Sequence, residues 1–155
     1  MRRFKQELSH DECEKILFDG REGVLALSGD EGYPYAVPLN YVYSGGAIYF
    51  HCAGSGHKID AIKKCDKASF CVIEKGDIVQ EKYTTFFRSV IVFGRISEVN
   101  DEKEKYDGIK TLTEKYCPDY KDGIEAAIEK EWNRLNMLKL EIEHMSGKQA
   151  IELVK

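Results

Sequence analysis

Apolar side chains alternate with other residues along 32–43, and this alternation is the clearest local pattern in the chain. One face carries Tyr33, Tyr35, Val37, Leu39, Tyr41 and Tyr43, and the other carries Pro34, Ala36, Pro38, Asn40 and Val42. A period of two residues predicts a β-strand. Proline has no backbone N–H to donate to a sheet, so two prolines on one face predict a strand at the edge of its sheet.

Five more segments have the composition and alternation of strands. They are residues 23–28, 47–52, 68–74, 86–99 and 137–144. Gly94 lies inside the segment 86–99, where a strand glycine predicts a β-bulge or a close approach of another backbone. Short connections containing glycine join several of these segments, which favours antiparallel pairing.

Helical spacing of apolar residues predicts four helices at the margins of these strands. The segments are residues 9–20, 57–64, 101–116 and 121–134. Ser9 and Glu12 have the spacing of a capping box, and Gly20 and Pro118 mark helix ends. Because strands and helices do not alternate regularly, we expect an α+β fold. The expected fold is one domain over residues 1–155, a six-stranded antiparallel β-barrel with flanking helices.

Composition and charge exclude several classes of protein. The chain of 155 residues has 23 Lys and Arg against 27 Asp and Glu, a net charge of −4, which argues against a nucleic-acid-binding protein. No apolar run approaches the roughly 20 residues that span a bilayer. The basic start of the chain is not followed by an apolar stretch, so we expect a cytoplasmic protein without a membrane partner. The five cysteines show no CxxC pair, which is typical of reduced thiols.

Residues 49–64, "YFHCAGSGHKIDAIKK", carry the strongest sign of chemistry. A strand ends near His51 and Cys52, and a loop of small residues leads to His57 and Lys58 at the start of a helix. Glycines allow backbone N–H groups to approach a ligand, and a helix start attracts anions, so this stretch is a candidate phosphate site. The two histidines and Cys52 lack the carboxylates or spacing of a metal site, and no metal is predicted.

Three segments in this order give the chain a family resemblance. "GYPYAVPLNYVY" (32–43), "IYFHCAGSGHKIDAI" (48–62) and "FFRSVIVFGRI" (86–96) resemble the FMN-binding split-barrel family related to pyridoxamine 5′-phosphate oxidase. The resemblance is closest to its 5-nitroimidazole antibiotic resistance branch. It extends over residues 1–153, because "IEHMSGKQAIEL" (142–153) also resembles that branch.

The resemblance implies a homodimer of split β-barrels with FMN in a groove between the subunits. It implies three groups of cofactor-binding residues. The flavin ring would be lined by Val37, Pro38, Leu39 and Asn40, the ribityl chain and phosphate by His51, Ala53, His57 and Lys58, and the rest of the pocket by Arg88, Ser89 and Val90. Residues near Trp132 would reach the partner's flavin.

The resemblance also implies an activity. Members that oxidise pyridoxamine 5′-phosphate carry an Arg-x-His motif near the C-terminus, and "WNRLNMLKLEIEHMSGKQAIELVK" contains none. The implied function is instead a flavin-dependent reductase of nitroaromatic molecules such as 5-nitroimidazoles, with NAD(P)H as a candidate electron donor. His51 is the candidate catalytic proton donor. Two alternatives remain open: a flavin-binding module without catalysis, and a split barrel that uses haem or a deazaflavin.

Overall fold

The computed structural model describes residues 4–154, so the predicted basic start at Arg2 and Arg3 lies outside the described residues. The helices are α1 (His10–Asp19), α2 (His57–Lys64), α3 (Glu102–Tyr116) and α4 (Ile124–Glu131). The strands are β1 (Glu22–Ser28), β2 (Pro34–Asn40), β3 (Val42–Ser44), β4 (Ala47–Ala53), β5 (Lys67–Val79), β6 (Thr84–Glu98) and β7 (Leu135–Gln149). Within residues 4–154, no helix is long and apolar enough to cross a membrane.

All seven strands pair antiparallel in one sheet with the order β2-β1-β5-β6-β7-β4-β3. The two edge strands, β2 and β3, are neighbours in the chain and are separated only by Tyr41. The sheet must therefore curl until its two ends meet, which makes it a barrel with a seam between β2 and β3. The predicted α+β fold and antiparallel barrel are confirmed, with seven strands instead of six.

The additional strand arises at Tyr41, where the predicted strand 32–43 bends. The Tyr41 side chain is fully buried, and its hydroxyl donates to the carbonyl oxygen of Leu17 at 2.7 Å. Its N–H donates to the hydroxyl oxygen of Tyr116 at 3.0 Å instead of joining a ladder. The chain therefore leaves β1 and joins β4 at this residue, and the prolines do not cause the bend, because β2 pairs with β1 through Pro38 without a shift in register.

The capping box at the start of α1 is confirmed. The N–H of Ser9 donates to the Glu12 carboxylate at 2.9 Å, and the N–H of Glu12 donates to the Ser9 hydroxyl at 3.3 Å. The apolar residues of α1 then close the barrel interior, in which Phe70 packs edge-to-face against Tyr41 and Phe50. Helix α1 therefore lies over the core that the strands enclose.

Helices α3 and α4 lie outside the barrel and form a second, smaller apolar cluster. It consists of Val42, Val99, Ile109, Leu112, Ile124, Ile128 and Met137. The cluster holds α3 against β3, β4 and β7, and α4 packs against α3. The helices therefore stand next to the seam, and the space left between them and the strand ends is a cleft.

Candidate functional site

A cleft of about 720 Å³ separates the seam of the barrel from α3 and α4. The strand side, which we call the β wall, consists of Pro38, Leu39, Asn40, His51, Cys52 and Ala53. The opposite side, which we call the helical wall, consists of Ile109, Leu112, Thr113, Tyr116, Cys117, Ala127, Ile128, Glu131 and Arg134. Leu135 of β7 also lines the cleft, next to Ala53, with which it pairs. The volume is that of a site for a molecule of drug or cofactor size.

The β wall brings together five of the residues predicted to bind a cofactor. Pro38, Leu39 and Asn40 come from the end of β2, and His51 and Ala53 come from the end of β4. Because β2 is an edge strand, its outer side has no partner among the described strands, and its backbone groups there are available to a ligand. Val37, predicted with them, packs against the barrel core.

The glycine loop beside this wall has the geometry of an anion site. Gly56 precedes α2 with φ 125°, a conformation that favours glycine, and no side chain caps the helix. Nothing lies within 4 Å of the position of a Cβ atom at Gly54 or Gly56, so the loop is open to an approaching group. The first N–H groups of α2 have no partner within the helix and favour an anion.

The two charged residues predicted at the start of α2 have different surroundings. His57 lies 3.4 Å from the Asp30 carboxylate (Nδ1 to Oδ2), and its ring packs edge-to-face on Tyr35. Lys64 also contacts Asp30, at 2.6 Å. Lys58, by contrast, forms no ion pair with any residue in 4–154 and is half-buried. Lys58 is thus the cation that remains available to a ligand at this helix start.

The charge of Lys58 acts on the β wall. Burial lowers the pKa of His51, and the positive charge of Lys58 lowers it further. Burial raises the pKa of the Cys52 thiol, an effect that Lys58 opposes. His51 is therefore neutral at pH 7, and Cys52 is a thiol and not a reactive thiolate.

A Lys58→Ala variant should raise the pKa of His51, because one of the two causes of its lowering is removed. In the variant, His51 should take up its proton at a higher pH than in the unchanged protein. The measurement is a titration of the imidazole signals by NMR, with Lys63→Ala at the exposed end of α2 as the control. Identical His51 titration curves in all three proteins would show that Lys58 exerts no field on the β wall.

The remaining predicted segment, Arg88 to Val90, lies apart from this cleft in the subunit. Arg88 lines a different cleft, where its guanidinium contacts Glu12 and Glu74, both at 3.1 Å. Val90 is fully buried in the barrel core. Ser89 lies between Arg88 and Val90 in the strand, so its side chain is on the opposite, outward face of β6. None of these three residues is among those that line the 720 Å³ cleft of the same subunit.

Part of the outward side of the sheet carries no charged residue. Register aligns two rows across five strands: Pro38, Val24, Cys71, Ile91 and Ser146, and next to it Ala36, Ala26, Ser69, Phe93 and His144. None of these ten residues is Asp, Glu, Lys or Arg, in a chain that is 32% charged. Phe93 is 48% exposed and Val24 is 41% exposed. We call these two rows the outer apolar face, and Pro38 joins it to the cleft.

The helical wall was not predicted as part of the site. Its apolar residues were predicted only as the inner sides of helices, and Glu131 and Arg134 have the appearance of ordinary solvent-exposed residues in the sequence. Trp132, which was predicted near a partner's cofactor, lies between them and has Lys105 over its ring at 4.2 Å. No local sequence signal marks Glu131 and Arg134 as residues of a site. They reach the cleft only because α3 and α4 pack next to the seam, which is a tertiary contact.

Fold and cleft together define an antiparallel barrel protein with a cleft of small-molecule size at its seam. The profile of the family described as pyridoxamine 5′-phosphate oxidase matches residues 9–149, so the chain belongs to this family. No curated protein matches the chain significantly.

Solved structures of similar fold cover nearly the whole chain. An FAD-binding protein from Mesorhizobium loti is 30% identical, with a TM-score of 0.70, covering 94% of this chain and 97% of its own. A protein assigned to 5-nitroimidazole antibiotic resistance from Bacteroides thetaiotaomicron is 19% identical, with a TM-score of 0.75, covering 92% and 86%. The FAD and heme binding protein from Mycobacterium smegmatis is 21% identical, with a TM-score of 0.80, covering 94% and 73%.

Proposed function

We propose that the protein binds a flavin, FMN, in the cleft at the barrel seam and reduces small nitroaromatic molecules with it. The observation that carries the proposal is the β wall together with the residues that follow it in the chain. The wall has an open strand edge, and beyond its lining residues β4 leads to the uncapped start of α2, where the unpaired Lys58 is close enough to act on His51. Family membership and the FAD-binding relative from M. loti support a flavoprotein. FMN and FAD share the ring, the ribityl chain and the first phosphate, so this wall suits that common part.

The chain supplies groups of suitable kind for each part of the flavin. The open edge of β2 at Pro38, Leu39 and Asn40 offers backbone and amide groups to the polar edge of the ring. The N–H groups at the start of α2, with Lys58, would hold the phosphate. His57 would act mainly through its contact with Asp30, which steadies the loop.

A second subunit is part of the proposal. The outer apolar face is continuous with the cleft through Pro38, so a second copy seated on that face would border the bound flavin. An uncharged exposed surface of this kind is characteristic of protein interfaces. Ser89 is on the outward side of β6 with Ile91, so a role for it in the cofactor site belongs to this dimer arrangement.

In the proposed reaction, NAD(P)H would reduce the bound flavin, which would supply two electrons to the substrate. With two protons these convert the nitro group to a nitroso group and release one oxygen as water. The protein would bind the substrate, exclude water and supply protons. His51 faces the cleft and is the proposed proton donor. Because its pKa is lowered, the protonated form is a minority at neutral pH, and its proton would leave readily.

The purified protein's visible spectrum, followed by mass spectrometry of the released cofactor, tests the proposal. We expect an oxidised-flavin spectrum and the mass of FMN. The mass of FAD would correct the cofactor but keep a flavoprotein, and a Soret band would replace flavin with haem. A colourless protein that also takes up no added FMN would overturn the site. Nitroreductase assays of the flavin-loaded protein then separate an enzyme from a flavin-binding module.

Lys58→Ala should weaken FMN binding about tenfold or more, because a charge-assisted contact to phosphate contributes about 1.5–3 kcal/mol. The measurement is fluorescence titration of the apoprotein with FMN, with Lys63→Ala as the matched control on the same helix. Riboflavin, which lacks the phosphate, should bind both variants equally. Unchanged FMN affinity in folded Lys58→Ala protein would show that the phosphate does not bind at Lys58.

We also place the protein in the cytoplasm as part of this proposal. All five cysteines are free in the structure, and Cys117 is exposed. Free thiols are kept reduced in the cytoplasm.

A further inference from the structure

The helical wall is suited to the apolar body of a ligand. Its apolar side chains are Ile109, Leu112, Ala127 and Ile128. Its two hydroxyl groups are already bonded within the chain: Thr113 donates to a helix carbonyl at 2.7 Å, and Tyr116 donates to the carbonyl oxygen of Tyr41 at 2.9 Å. This part of the wall therefore offers packing to a flat ring without free hydrogen-bonding groups.

Two charged side chains complete the wall at the end of α4. Glu131 and Arg134 both line the cleft, and the N–H of Arg134 donates to the backbone oxygen of Glu131 at 2.9 Å. Neither side chain has a hydrogen bond or ion pair with another side chain in residues 4–154. The cleft thus contains one guanidinium and one carboxylate whose charges no neighbour in this part of the chain compensates.

The positive charges around the cleft divide between its two sides. Lys58 is close enough to the β wall to act on both His51 and Cys52, and the proposed function assigns it, with the start of α2, to the flavin phosphate. On the helical wall, the guanidinium of Arg134 is the cation that remains for a substrate, beside the carboxylate of Glu131. A guanidinium binds a carboxylate through two parallel hydrogen bonds, and the nearby Glu131 disfavours a group with two negative charges.

We propose that the helical wall is the substrate subsite and takes an aromatic molecule that bears one carboxylate, which Arg134 binds. The inference rests on the proposed function, since it takes the β wall to be occupied by the flavin. The apolar residues of α3 and α4 hold the ring, and the carboxylate lies at the end of α4.

The test compares two probes of nearly equal shape, 4-nitrobenzoate and the neutral 4-nitrobenzamide. Isothermal titration calorimetry measures the affinity of each for the purified oxidised protein at low ionic strength, without a reductant. We expect the acid to bind about three- to tenfold more tightly than the amide, a modest factor because Arg134 is exposed to solvent.

Three variants assign the preference to a residue. Arg134→Gln should abolish the preference for the acid, and Glu131→Gln should increase it, because a repelling charge is removed. Lys130→Gln removes a positive charge from the same helix but outside the cleft, and it should leave the preference unchanged. Opposite signs for Arg134→Gln and Glu131→Gln are the sharpest expected result.

The outcomes separate this inference from the proposed function. If the protein is loaded with flavin but binds acid and amide equally, the subsite assignment is overturned and the flavoprotein remains. If Arg134→Gln keeps the preference, the carboxylate binds elsewhere and the assignment is also overturned. If the protein holds no flavin, the proposed function fails, and calorimetry still decides whether Arg134 selects the acid.

Discussion

Replacing Gly94 by alanine should destabilise the protein by about 3 kcal/mol. The substitution removes no interaction, and the loss of stability comes from the added methyl group. A Cβ atom at this position would overlap the carbonyl oxygen of Glu141 on the neighbouring strand and lie 2.9 Å from its carbonyl carbon. The obstacle is backbone, which cannot rotate away as a side chain can. The strands β6 and β7 would have to separate at the centre of the sheet.

The local register explains why the strands come so close. Phe93 pairs with His144, whereas Gly94 pairs with Ile142, so Glu143 is an extra residue on β7 at this point. The glycine predicted a bulge or a close approach of another backbone at this point, and the structure shows both. The bulge also brings the Glu143 carboxylate to 3.1 Å from Arg95 on the outer side of the barrel.

Urea denaturation followed by circular dichroism measures the effect of Gly94→Ala, and the midpoint should fall by about 1–2 M. Gly76→Ala is the matched control, because Gly76 also lies in a strand, without a positive φ and with nothing within 4 Å of its Cβ position. The control should be neutral or more stable by about 0.5 kcal/mol. Equal midpoints for the two variants would mean that β6 and β7 accommodate a methyl group at the bulge.

The strands could be predicted from the sequence because their signal is local. Alternation along residues 32–43 identified the faces of β2 correctly, and the prolines identified it as an edge strand. The bend at Tyr41 could not be predicted in this way. It depends on hydrogen bonds to Leu17 and Tyr116, which are 24 and 75 residues away in the chain.

The same distinction applies to the cleft. The residues of the β wall lie in motifs whose order along the chain suggested a ligand site, and the structure brings Pro38, Asn40 and His51 to one cleft. The helical wall depends on how α3 and α4 pack against the seam. The helix predicted over residues 121–134 ends at Glu131 in the structure, so Arg134 lies just beyond α4.

An Ile91→Asp variant should convert the proposed dimer to monomers and release most of its flavin. Ile91 lies in the centre of the outer apolar face, between Cys71 and Ser146 in register, and is 40% exposed in the single subunit. In a symmetric dimer the substitution buries two carboxylates without partners. An unpaired buried charge costs about 3–5 kcal/mol, so the dimer dissociation constant should rise more than about a hundredfold.

The fold of the single subunit should survive this substitution, because Ile91 points away from the barrel core while Val90 and Val92 on either side remain buried. Light scattering after size-exclusion chromatography gives the molecular mass, and the absorbance at flavin wavelengths gives the cofactor content of the same peak. Phe18→Asp is the control, since Phe18 is 67% exposed on α1 and outside the two rows of the face.

The two readings together decide where the cofactor site is completed. Monomers without flavin would place part of the site on the second subunit, as expected if Pro38 links the face to the cleft. Monomers that retain flavin would show that the cleft of one subunit is sufficient to bind the cofactor. The dimer would then stabilise the fold without completing the site. A variant that stays dimeric and fully loaded with flavin would show that the subunits meet through another surface, and the uncharged rows would need a different partner.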